Sequence, residues 1–200
     1  MRLIVRTCLL AVALVLALST SVLATHGAPG QHVPFHLDIA GADRPLEMGP
    51  GIPPFITPST FGGRCSIAST WLATIDSTGT AGHLGAVTVL QSHCTTFPFF
   101  EPAPQRGTFV DGLMVVTAAN GDELWVRYGG FFDFYPAPDR PDIGTSLLTY
   151  EPMTIVGGTG RFAGATGAFT GSATDAFGSG GNTAHFGGWI AYDATGSAAK

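Results

Sequence analysis

Lysine occurs once in this chain, at the last position, Lys200, and charged residues of all kinds make up only 12%. So small a cationic surface excludes nucleic-acid binding, which depends on arginine and lysine neutralising phosphates and releasing their counterions. Cysteine is also scarce, with three residues, Cys8, Cys65 and Cys94. That is too few for a cysteine-only zinc site. Beyond the first two dozen residues no apolar stripe recurs with the 3.6-residue period of a helix. Disorder is excluded by the composition, since 45% of residues are hydrophobic. What the chain does hold in quantity is 28 glycines, 14 prolines and 14 phenylalanines, a profile of many short strands joined by turns.

The N-terminus, MRLIVRTCLLAVALVLALSTSVLA, has Arg2 and Arg6 ahead of an apolar run and ends on small residues. It reads as a secretory signal peptide over 1–24. The run is shorter than the roughly 20 residues a membrane span requires, so no membrane anchor is expected. Its removal takes two of the nine basic residues and none of the fourteen acidic ones. The mature chain is therefore more acidic than the whole, and destined for the extracellular space or the cell envelope. In such an oxidising setting Cys65 and Cys94 are expected to form a disulfide.

Residues 25–32 read as a flexible leader, and 33–195 as one domain. Eight strand-like runs follow one another, beginning with HVPFHLDIA and ending with NTAHFGGWIAYD, with a long Pro/Gly-rich loop over 41–64. Turn signals separate the runs, so the expected fold is all-β, an eight-stranded antiparallel barrel whose closure removes the sheet edges. Two registers can be anticipated. A turn at Ser77–Thr80 with Cys65 facing Cys94 sets Trp71 opposite Thr88 and Asp76 opposite His83. A type I′ turn at Asn120-Gly121 sets Val116 opposite Trp125. The second register gives one apolar face of Leu113, Val115, Thr117, Leu124, Val126 and Tyr128, expected to line the lumen. The first assigns Gln91 and His93 to the outer face. The polar candidates are then Asp76 with His83, and Glu123 with Arg127. The stretch GGTGRFAGATG reads as a tight turn built on Gly157, Gly158 and Gly160, with Phe162 tucked beneath it as a plug and Arg161 bonding a nearby carbonyl or carboxylate. Its glycine spacing and the lack of a following helix exclude a dinucleotide fingerprint. The histidines lie too far apart along strands for a metal site, and no cofactor signature is present.

The segments GTAGHLG, VTAANGDELW, IVGGTGRFAGATGAFTG and GGWIAY resemble a group of secreted bacterial proteins with an allene oxide cyclase barrel-like, or calycin-like, fold. The Gly-Gly-Thr-Gly-x-Phe element is also similar to that of plant dirigent proteins and plant allene oxide cyclases. The resemblance spans roughly 65–193 and is strongest at 117–125 and 155–171. It implies a barrel with an apolar lumen. The shared motif is architectural, so no catalytic residue carries over. Three classes of function follow: a secreted binding barrel for a small hydrophobic or amphipathic ligand, an isomerase, cyclase or dirigent-like protein acting on a lipid or phenolic substrate, and a structural or protein-interaction module, with homo-oligomers compatible with each.

Overall fold

The computed structural model describes residues 32–44, 47–48, 71–96, 104–177 and 181–192. The signal peptide, most of the 25–32 leader, most of the 41–64 loop, and Cys65 lie outside the described residues. Among the described residues nine strands form a single antiparallel sheet: β1 (Val33–Asp43), β2 (Glu47–Met48), β3 (Trp71–Ala81), β4 (Gly85–Thr96), β5 (Gln105–Ala118), β6 (Glu123–Ala137), β7 (Arg140–Gly158), β8 (Thr166–Ala176) and β9 (Gly181–Ala191). β1 pairs with both β9 and β3, so eight strands close into a barrel and β2 adds two residues to the flank of β3. This is the expected fold, with the first strand longer than anticipated: β1 runs on through Gly41, Ala42 and Asp43, which the sequence assigns to a loop.

Side chains alternate between lumen and exterior along each strand. β1 sends Phe35, Leu37 and Ile39 inward, β8 sends Phe169 and Ala173, and β9 sends Ala184, Phe186 and Ile190. Tilted and edge-on ring pairs link these into an aromatic column, Phe35–Phe169–Phe186–Tyr150–Phe109. Each buried ring contributes roughly 1.5–3 kcal/mol of burial.

Both anticipated registers are corrected. In the β3–β4 hairpin Trp71 faces Thr95, Leu72 faces Cys94 and Thr78 faces Thr88. The turn lies at 82–84, with Leu84 N–H donating to Ala81 O and with positive φ at His83 and Gly85. Cys94 therefore has Leu72, not Cys65, as its ladder partner, and Trp71 is not opposite Thr88. Moving the turn changes the phase of the pairing, and Gln91 and His93 face the lumen with Val87 and Val89. In the β5–β6 hairpin Val116 faces Leu124 and Val115 faces Trp125, one residue away from expectation. The loop is a three-residue turn: Ala118 and Asp122 are bonded across it, and Gly121 alone has positive φ, at 86°. A type I turn closed by a left-handed glycine bulge thus replaces the two-residue turn. The shift exchanges the faces of β5, so Met114, Val116 and Ala118 line the lumen.

Candidate functional site

The two ends of the barrel differ. At one end the β7–β8 connection folds over the opening as a short 3-10 turn, Gly160–Phe162. Phe162 is fully buried beneath it, as expected, and packs against Tyr192. The turn is clamped to the β5–β6 hairpin by Thr159 N–H to Glu123 O, Glu123 N–H to Thr159 Oγ1, and the Arg161 guanidinium 3.6 Å from Asp122. This end is sealed by side chains.

The opposite end holds a cavity of about 50 Å³. Its walls are Ala73, Ile75, Phe132, Leu148, Ala173, Phe177 and Ala184, and its polar groups are Asp43, Gln91, His93, Thr95, Ser146, Tyr150, Asp175 and Asn182. Strand alternation puts them there. Asp43 is the next inward position of β1 after Ile39 and Gly41, and Asp175 follows Phe169, Gly171 and Ala173 on β8. β9 lies between these two strands, with Asn182 opposite both Gly41 and Asp175.

Asp43 and Asp175 hydrogen-bond each other, and Asn182 Nδ2 donates to Asp43 Oδ1 at 3.3 Å. Burial, then the adjacent Asp43 carboxylate, pushes Asp175 up to about 8. Asp43 is also raised, by burial, against the downward pull of its hydrogen bonds with Asp175 and Asn182. Near neutral pH the pair therefore holds one proton between two carboxyls. Deeper in the lumen His93 Nδ1 lies 3.0 Å from the Tyr128 hydroxyl, and Tyr150 O–H donates to Gln91 Oε1 at 3.3 Å. Burial lowers His93 to about 4, so its ring is neutral, and raises both tyrosines. The arrangement offers an apolar, aromatic-walled chamber with a proton-sharing carboxyl pair at its rim and neutral hydrogen-bonding groups at its base.

The anticipated site residues divide. Leu124, Val126 and Tyr128 line the lumen. Leu113 and Val115 pack on the outer face with Leu90 and Trp125. Asp76 and His83 are not a pair: Asp76 is bound by Arg44, and His83 Nε2 lies 2.9 Å from Pro34 O, bracing the turn against β1. Glu123 accepts from Trp125 Nε1 at 2.9 Å, and Arg127 is exposed on the same outer face. None of these four borders the cavity. The glycine turn folds over a fully buried Phe162. The sequence pattern assigns His93 and Gln91 to the outer face and points to none of Asp43, Asp175 and Tyr150, although the inward parity of Asp175 with Phe169 is visible in it.

The fold and site define a closed antiparallel barrel, plugged at one end and hollow at the other. No family model matches the chain, and no curated protein matches it.

Proposed function

We propose that this protein is a secreted β-barrel that binds a small hydrophobic or amphipathic ligand in its lumen, consistent with the resemblance to calycin-like barrels. The observation that supports this is the cavity at the hollow end, where apolar and aromatic walls meet a few convergent polar groups, the usual make-up of a small-molecule site. Its size suits a short ligand: at roughly 10–15 Å³ per water-sized position, about 50 Å³ holds three to five such positions. Titration of labelled protein with a panel of short apolar and amphipathic compounds tests the reading. Methyl shifts are expected at Ile75, Leu148 and Ala184. Shifts confined to the outer-face methyls of Leu90, Leu113 and Val115 would overturn it.

A second reading, an isomerase or cyclase on the same barrel, is favoured by one observation, the buried, mutually hydrogen-bonded carboxyl pair Asp43 and Asp175 at the cavity. A protonated carboxyl beside an ionised one can donate and accept a proton on one bound molecule. Turnover that is lost in Asp175→Asn while ligand binding persists would select this reading over simple binding.

A further inference from the structure

We propose that the Asp43–Asp175 pair is the recognition site for a protonated amine carried on a short apolar body. The inference rests on the lumen-binding reading and narrows it to one ligand chemistry.

Four observations carry it. First, Asp175 is 8% exposed, and its Oδ1 is buried with no hydrogen-bonding partner among the described residues. A buried carboxyl oxygen left unpaired costs its desolvation with nothing in return, and Asp175 borders the cavity, within reach of a donor on a ligand. Second, among the described residues the cavity wall contains two carboxyls and neither lysine nor arginine. The one histidine among them, His93, is held neutral by burial. A ligand ending in a carboxylate would meet repulsion with no compensating cation, so fatty acids are disfavoured despite the apolar walls. Third, Phe132, Tyr150 and Phe177 stand around the same space, and aromatic faces attract cations. Fourth, an ammonium has three N–H donors. It can satisfy Asp175 Oδ1 and Asp43 together, where a hydroxyl has one donor to give.

The proton balance follows. The free pair carries one shared proton and one negative charge. A charged amine enters, the shared proton leaves to solvent, and the bound state holds two carboxylates against one ammonium. The other groups facing the pair are Ser146 and Tyr150 from β7 and Asn182 from β9, with His93 of β4 and Tyr128 of β6 below. The tyrosines are pushed further from neutrality and the histidine is already deprotonated, so the proton comes from the carboxyl pair. Affinity should therefore rise about tenfold per pH unit while the pair is protonated, and level off above its titration.

The test uses four probes with one body and different heads: n-butylamine, n-butanol, n-butyrate and butyltrimethylammonium. Each is titrated calorimetrically into the secreted, full mature protein at pH 6.5 and pH 8, in two buffers of different ionisation enthalpy. Butylamine is expected to bind at least tenfold more tightly than butanol or butyrate, more tightly at pH 8 than at pH 6.5, and with release of close to one proton at the lower pH. Asp175→Asn, checked by thermal melting to be folded, is expected to lose that preference at least tenfold. The proton-release measurement needs no variant and stands if Asp175→Asn does not fold. Butanol or butyrate binding as well as butylamine would overturn the amine assignment and leave lumen binding intact. Quaternary ammonium binding as tightly as the primary amine would overturn the part assigned to Asp175 Oδ1. No binding of any probe would overturn the assignment, and the methyl-shift titration then decides whether the lumen binds other bodies.

Discussion

At the scale of single residues, Asp175 and His93 act on stability with opposite sign as pH changes. The folded-state value of Asp175, about 8, lies above its ordinary 3.8. Between these values the folded protein holds a proton that the unfolded chain has lost, so this contribution is present in acid and is lost as pH rises through about 8. His93 is depressed from 6.5 to about 4. In that interval the unfolded chain holds the proton, so stability from this residue grows as pH rises from about 4 to 6.5. The two oppose each other between about pH 4 and 6.5, and from there to about pH 8 the carboxyl pair, in which Asp43 is raised as well, acts without the histidine. Denaturant unfolding should show wild-type stability falling between pH 6.5 and 8, by up to about 1.4 kcal/mol per pH unit. Asp175→Asn should remove that fall and expose a rise between pH 4 and 6.5, which a further His93→Gln change removes. A wild-type stability that is level from pH 6.5 to 8 would refute the proton-sharing pair.

At the scale of elements, the glycine turn and the hairpins show what the chain encodes locally. Gly160 has φ of 53°, and a Cβ there would collide with the Asp122 carboxylate that also holds Arg161. Phe162 fills the space below. Phe162→Ala should cost about 3–5 kcal/mol, the usual range for emptying a buried aromatic site, and Gly160→Ala more than about 1 kcal/mol. Urea melts measure both. Ligand affinity at the far end should change little in either, because the plug and the cavity occupy opposite ends of the barrel. The eight strands and this turn were legible in the sequence because period-two alternation and glycine clusters are local signals. The registers were not, because they depend on where single extra residues are absorbed. Gly121 absorbs one in the β5–β6 turn, and Asp111, with φ of 54°, another in β5, where the pairing with β6 skips between Phe109 and Gly112. Inward positions there pass from Phe109 to Met114 and Val116. The site suffered for the same reason. His93 and Gln91 fall on the wrong face when the β3–β4 turn is set at Ser77–Thr80 instead of 82–84, and Asp43 falls in a loop when β1 ends at Ala40. Asp175 lies in a strand whose parity was correctly readable, but a carboxyl in an inward position declares its chemistry only when the partner from another strand is in view.

At the scale of the whole molecule, β1 closes the barrel by pairing along β9 and β3 at once, so backbone pairing completes the ring of eight strands. Cys94 sits buried outside the lumen with Leu72 and Val110 and has Leu72 as its ladder partner on β3, so a bond to Cys65 would not join two facing ladder positions. The expected bond spans about 30 residues, and constraining that loop in the unfolded chain is worth roughly 3–4 kcal/mol. Counting free thiols under denaturing conditions reads this bond and signal-peptide removal together, because the third cysteine, Cys8, lies within residues 1–24. No free thiol is expected in the mature protein: Cys8 departs with the signal peptide, and Cys65 and Cys94 are joined. One thiol would mean that the signal peptide is retained and the bond is formed, two that the signal peptide is removed and the bond absent, and three that both expectations fail. Reduction of the bonded protein should then lower its unfolding free energy by that 3–4 kcal/mol and leave the far-ultraviolet spectrum of the barrel unchanged, since the eight-strand closure supplies the fold and the bond only narrows the ensemble it unfolds into.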